Sequence, residues 1–280
     1  DFQVVSVRPN GSQAFAVDQQ KSWNRPDWKL VLDYDLTTHI MGYASATTGF
    51  KSGGFNGRGT TVSTVGSFDA ETLIAYEAGI KSSLLDDRVR LNLDYYRNDY
   101  AGIQLSAVSP SGVFSVTNAT GALIQGVEMD AQAQLTSAWQ VSAGFGTIDA
   151  QYQDFADINR SIFAGKALKD APKFQWQLST TYVQPLANAD LVWSAAFKYT
   201  DMYFENQALS RLIMVPTHLD ATARVAYQPR SKKWSLALWG KNLTNNHIST
   251  GGFDIAGLGI GVIYPSLPRT YGVDFNYRFW

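Results

Sequence analysis

The chain has 280 residues, a formal net charge of -1 and no cysteine. That excludes a disulfide framework, a thiolate metal site and a cysteine nucleophile, and it gives no basic surface for a nucleic-acid partner. Charged residues make up 17% and aromatics 13%. The first figure lies below the roughly 25% of soluble domains, while the many Tyr and Trp rings suit a membrane–water boundary.

No apolar run reaches the ~18 residues of a spanning helix. A closed β-barrel can still cross a membrane, because its backbone groups pair between strands. There is no signal peptide and the chain begins at Asp1, so a mature form or a fragment is expected.

In chain order, Asp1 to Arg8 is a weakly alternating strand and Pro9 to Pro26 a polar loop. Trp28 to Tyr34 alternates clearly, a short turn follows over Leu36 to Thr38, and Ile40 to Thr47 returns. Thr48 to Asp69 is a long Gly-rich loop. Glu71 to Leu105 then holds two long strands around a turn at Leu84 to Asp87. Their alternation puts Ile74, Tyr76 and Ile80 with Leu91, Leu93 and Tyr95 on apolar faces. Glu77, Lys81, Arg90 and Asp94 lie on the opposite faces.

Ser106 to Ala119 is expected to be a loop, Gly121 to Leu135 a strand, and Trp139 to Thr147 its return. Gly121 to Leu135 carries Glu128 and Asp130 on its polar face. Asp149 to Ala171 is a loop. Strands around Phe174 to Tyr182 and Leu191 to Tyr199 follow, joined at Ala187 to Ala189. After a loop from Glu205 to Pro216, Leu219 to Tyr227 and Trp234 to Leu238 form another pair across Pro229 to Lys232. Asn245 to Leu267 is a last long loop, and Tyr271 to Phe279 the final strand.

Short turns and long loops therefore alternate without exception. Apolar faces carry aromatics near both ends, with aliphatics between. A transmembrane β-barrel has this pattern: short turns on the periplasmic side, long loops outside, apolar groups toward lipid and charges toward a wet lumen. The expected fold is all-β, an antiparallel up-and-down transmembrane β-barrel with 11–12 strands present. A soluble sandwich or cup-shaped binding barrel remains open on composition alone.

Five segments stand out: YASATTGFKSGGFN (Tyr43 to Asn56), Phe68 to Gln104, GALIQGVEMD (Gly121 to Asp130), LWGKNLTNNHI (Leu238 to Ile248) and YGVDFNYRF (Tyr271 to Phe279). Together they resemble one family, the TonB-dependent outer-membrane receptors. The second segment holds Glu71 and the Tyr-Glu-x-Gly-x-Lys run from Tyr76 to Lys81. The resemblance implies a 22-strand barrel of which residues 1–280 form the C-terminal part, with the family's plug domain and its partner-contact motif lying outside this sequence. It also implies a Gram-negative outer-membrane receptor for TonB-energised uptake of a scarce ligand, such as an iron–siderophore. The partners implied are outer-membrane lipid, a small-molecule or glycan ligand, and the plug and TonB complex. Trp280 departs from the pattern, lying one residue past the aromatic Phe279.

For recognition the outer loops are the best candidates, since loops on a rigid scaffold commonly carry binding. One offers Phe50, Lys51, Phe55, Asn56 and Arg58, the other Asp154, Asn159, Arg160 and Phe163. The plainer reading is solvated loop. Glu77, Lys81, Arg90, Asp94, Glu128 and Asp130 are expected on the lumen wall, facing a plug or forming a cross-strand charge lattice. His39, His218 and His247 lack metal spacing, no serine sits in a nucleophile elbow, and GLGIG (Gly257 to Gly261) reads as a flexible loop. Neither an enzyme nor a cofactor is expected. The alternatives are a complete 12-strand passive channel with Asp1 in the periplasm, a barrel enzyme, or a soluble binding module.

Overall fold

A computed structural model of the chain describes residues 1–57, 59, 61–62, 64–108, 114–118, 121–153, 166–255 and 259–279. The chain opens with a hairpin, β1 (Phe2–Val7) and β2 (Gln13–Gln19), a sheet of its own. The wall begins with β3 (Lys29–Thr37) and β4 (Ile40–Lys51). A small pair, β5 (Gly54–Phe55) and β6 (Ser67–Phe68), bridges to β7 (Glu71–Leu84) and β8 (Val89–Ala101). A second hairpin, β9 (Gln104–Val108) and β10 (Phe114–Asn118), precedes β11 (Gly121–Thr136), β12 (Trp139–Thr147) and β13 (Asp149–Tyr152).

Next come β14 (Phe174–Pro185) and β15 (Ala189–Thr200). A compact insert holds β16 (Tyr203–Phe204), a 3-10 turn (Arg211–Ile213) and β17 (Met214–Val215). The chain closes with β18 (His218–Pro229), β19 (Trp234–Lys241), the hairpin β20 (Ser249–Ile255) and β21 (Ile260–Pro265), and β22 (Thr270–Tyr277).

One 12-stranded antiparallel sheet contains the wall. It runs β3-β4-β7-β8-β11-β12-β14-β15-β18-β19-β22, and β13 continues β12 along β11 past a break at Ile148. Sequence neighbours are spatial neighbours throughout, which makes the sheet up-and-down. β11 has 16 residues and β7 has 14. The ~9–11 residues that cross a bilayer leave several to project past one rim.

The faces sort by chemistry in the inverted sense. On one face Ile80, Leu93 and Met129 align across three strands, and Leu178 pairs with Phe197. Rings cluster at two levels of that face. Near the short turns Trp139 meets Tyr182 edge-on at 6.4 Å and Tyr227 lies 5.5 Å from Trp234. Toward the long loops Trp176 stacks on Tyr199 at 6.0 Å. These are the two aromatic girdles, with aliphatic side chains between them. Leu93 and Trp193, 39% and 46% exposed, belong in lipid.

Short turns are held to one another. The Arg88 guanidinium donates to the carbonyl oxygens of Gln134 and Leu135, and Arg230 donates to those of Leu186 and Ala187. Each arginine thus ties its own turn to the next along the rim and satisfies carbonyls the ladder has left free.

The sheet is open: β3 and β22 each lack a partner on one side among the described residues. An open edge cannot face lipid, so the wall is part of a larger barrel. This corrects the passive-channel alternative, which needed the first strand paired to the last and Asp1 at the periplasmic rim. β1 pairs only with β2, and the Phe2 ring stacks on Phe55 at 4.8 Å, at the long-loop rim.

Candidate functional site

The inner wall comes first, since the strand period fixes it. β4 and β7 pair Tyr43 with Gly79 and Ser45 with Glu77. Only glycine fits at 79: a Cβ there would lie 2.8 Å from the Tyr43 ring and 2.7 Å from the Leu93 carbonyl oxygen. The ring therefore lies flat over Gly79, and its hydroxyl donates to Glu77 Oε1 at 2.5 Å. Lys81 Nζ sits 4.9 Å above the same ring, a cation–π contact.

All six predicted wall residues share this polar face, but they form no charge lattice. Among the described residues no ion pair joins any two of Glu77, Lys81, Arg90, Asp94, Glu128 and Asp130. Register is the reason. Asp94 lies opposite Glu128, a like charge, whereas Lys81 lies opposite Asn92 and Arg90 opposite Gln132. The result is an acidic patch around Glu77, Asp94 and Glu128, with its nearest cation held on a tyrosine ring.

At the long-loop rim the described parts of the connections are built structures rather than open loops. Asn56 clamps the β10 backbone. Its Nδ2 donates to the Val116 carbonyl at 3.0 Å, and its Oδ1 accepts from the Val116 amide at 2.7 Å. Asn118 does the same for the entry to β7, accepting from the Asp69 amide and donating to the carbonyls of Asp69 and Gly102. Gln104 adds its backbone amide to Glu71 Oε2 and its side-chain amide to the Ser52 carbonyl, each at 2.8 Å. Lys21 joins Asp69 at 2.6 Å.

The predicted contact residues divide here. Lys51 is on the lumen face, 3.8 Å from Glu71, while Phe50 is on the opposite face of the extended β4. Phe55 is packed between Phe2 and Trp23. Asn56 has both ends of its amide committed to backbone. Of these four, Lys51 alone has an exposed side chain on the lumen face, where its charged partner is Glu71. Arg58, Asp154, Asn159, Arg160 and Phe163 lie outside the described residues.

A second rim assembly was not legible as such. The insert between β15 and β18 packs on the β20–β21 hairpin around Ile213 and Val215, which are 1% and 0% exposed. Ser249 Oγ donates to Glu205 Oε2 at 2.8 Å, and Ser210 Oγ donates to Asp254. Burial, with Glu205 and Asp170 near, raises the Tyr203 phenol above its ordinary value. Beneath this assembly Asn242 and Asn246 brace the end of β19. Asn242 Nδ2 donates to the Asn246 carbonyl, and Asn246 Nδ2 donates to the Leu219 carbonyl and Asp220 Oδ1. Asn242 and Asn245 adopt φ of 50° and 57°, a conformation asparagine tolerates better than most residues.

The described part of the GLGIG segment, Gly259 to Gly261, is thus no free loop. Gly259 turns the hairpin at φ 63°, and Ile260 and Gly261 already belong to β21. The signal was present in alternating apolar residues on both sides of the glycines, the pattern of a hairpin. Each histidine has a local partner: the His39 amide donates to Thr37 Oγ1 in a short turn, His218 Nδ1 lies 2.8 Å from the Pro216 carbonyl, and His247 contacts Asn245.

An up-and-down sheet with a girdled apolar outside, a charged inside and hydrogen-bonded hairpins at one rim defines the wall of a transmembrane β-barrel. The model of the family described as TonB dependent receptor-like, beta-barrel matches residues 2–243, and the chain belongs to that family. A probable TonB-dependent siderophore receptor, PiuA of Acinetobacter baumannii, is 24% identical over 164 residues, which cover 56% of this chain and 21% of that protein.

Among solved structures, the ferric yersiniabactin uptake receptor FyuA of Yersinia pestis superposes with a TM-score of 0.83 at 20% identity. The match covers 99% of this chain and 41% of the receptor. The ferric-catecholate import receptor Fiu of E. coli K12 superposes at 0.69 and 19% identity, over 96% of this chain and 37% of its own. At these identities the likeness is one of fold. The chain spans about a fifth of the curated relative and about two-fifths of the solved receptors.

Proposed function

We propose that this chain is the C-terminal wall of a Gram-negative outer-membrane receptor that takes up a scarce ligand, an iron–siderophore complex being the leading candidate. The observation that carries the reading is the coupling of a lipid-facing sheet to fixed rim hairpins. A passive pore has no need of rim segments locked by Asn56, Asn118 and a buried core at Val215. A receptor does, because a preformed mouth avoids the ordering cost of capture. The acidic inner patch around Glu77 suits contact with a plug domain, and uptake through that plug would draw on the TonB complex of the inner membrane. The same patch and the formal net charge of -1 disfavour nucleic acid as a partner.

The test is uptake of radio-iron presented on a panel of siderophores by cells expressing the full-length receptor. Saturable uptake that collapses on adding a protonophore is the expected result. Saturable uptake indifferent to the protonophore contradicts energised transport. Uptake linear in concentration would mark a pore.

A further inference from the structure

We propose that the lipid-facing side of β14, β15, β18 and β19 carries a seat for one anionic phospholipid of the periplasmic leaflet, an inference that rests on the outer-membrane reading above. Small side chains stand in register across these strands. Thr180 lies opposite Ala195, Ala195 opposite Ala223, and Ala223 opposite Gly240. One step toward the short turns the same face carries Tyr182, Trp193, Val225 and Leu238. A low row beside a high one leaves a groove of about 1120 Å³, larger than the roughly 300–1,000 Å³ of ordinary small-molecule sites.

The groove has two defined ends. Toward the long loops it stops at Leu243 and Tyr271, where Leu243 folds so close to Gly240 that a Cβ there would lie 2.6 Å from it. Toward the short turns it opens beside Pro185 and Ala138. At that end the charge is strongly one-sided. Arg230, Lys232 and Lys233 share the β18–β19 turn, and the Arg278 amide donates to the Lys233 carbonyl at 2.8 Å. All four are exposed, and none is in an ion pair among the described residues. Asp190 is the one acid in the facing turn segment, residues 186–190. Arg230 is already oriented, since its Nε and Nη2 reach the carbonyls of Ala187 and Leu186 at 3.1 Å, directly beyond Pro185.

Within a bilayer, apolar area alone selects nothing, because lipid tails are as apolar as leucine. Shape and charge together do select. An acyl chain fills the row of small residues, and a phosphate lies among the turn cations. Each lysine or arginine near an anionic lipid surface strengthens attraction by about fivefold. The cations stand on the short-turn side, so the occupant belongs to the periplasmic leaflet, which is phospholipid, and not to the lipid A of the outer leaflet.

The test uses the full-length receptor in mild detergent, titrated with phosphatidylglycerol or phosphatidylethanolamine and read by native mass spectrometry. The wild type is expected to retain one phosphatidylglycerol in preference to phosphatidylethanolamine. K232Q/K233Q is expected to weaken phosphatidylglycerol by about 25-fold, with phosphatidylethanolamine little changed. Ala223→Leu raises the groove floor and is expected to lose both lipids. Heat-modifiable gel mobility reports barrel folding separately for every variant. Equal retention by a folded Ala223→Leu variant overturns the seat, as does a wild type without headgroup preference or one that retains lipid A. A wild type without heat-modifiable mobility that does not partition into membranes overturns the outer-membrane reading itself.

Discussion

Arginine in place of Leu93 is expected to destabilise the assembled receptor by about 2–4 kcal/mol, whereas arginine in place of Asn92 is expected to cost far less. The two positions are adjacent on β8 and face opposite ways. Leu93 stands between Ile80 and Met129, all three on the apolar face near the middle of their strands. A guanidinium there meets hydrocarbon and has to reach for a headgroup. Asn92 stands between Lys81 and Asp130 on the polar face. An arginine there gains a carboxylate neighbour in a wet lumen. Urea unfolding of the full-length protein in lipid vesicles measures both variants. The comparison is sharp because a soluble sandwich predicts the opposite order of costs: Leu93 is 39% exposed and would tolerate a charge in water.

The second large effect is local. Aspartate in place of Val215 is expected to cost the rim assembly about 3–5 kcal/mol, the scale of an uncompensated buried charge, while leaving the wall intact. Val215 is fully buried with Ile213 against the β20–β21 hairpin. That core is small, and the Ser249–Glu205 and Ser210–Asp254 hydrogen bonds add to it. Segments with few buried contacts open as independent units. Hydrogen exchange over residues 203–215 and 249–265 is therefore expected to lose protection in the variant. The sheet strands are expected to keep theirs. Unchanged protection at the rim would show that the hairpins are held by contacts other than this core.

Much of the wall was legible from period-2 alternation, because a lipid-facing sheet repeats its pattern over strands as long as Glu71–Leu84 and Gly121–Thr136. Strand direction followed from loop parity. The rim was not legible. Its hairpins are short, and Gly-rich stretches such as Ser249–Ile255 read as loop by composition although Gly252 to Ile255 pair with Ile263 to Ile260. Asn56 showed the right type and the wrong role: a polar amide on an outer loop suggests ligand contact, yet its geometry spends both ends on Val116. Phe50 failed for a different reason. Extending β4 by four residues, from Thr47 to Lys51, settled which face each loop residue takes, and boundaries are the part of a strand that alternation fixes least. The charge lattice on the wall failed because register, which pairs Asp94 with Glu128, cannot be read from one strand at a time.

A cysteine scan along β7 tests the central claim most directly, and the chain's lack of native cysteine makes each label unique unless residues elsewhere in the full-length receptor add one, which would first be replaced by serine. Single cysteines at positions 74, 76, 78 and 80 are expected to resist a water-soluble maleimide, and a fluorophore placed there is expected to be quenched by a nitroxide dissolved in the lipid. Cysteines at 75, 77 and 81 are expected to react with the maleimide and to escape the quencher; position 79 is left out, since a Cβ there would meet the Leu93 carbonyl oxygen. Equal maleimide reactivity at both sets, with no lipid quenching at either, would contradict a membrane-spanning wall.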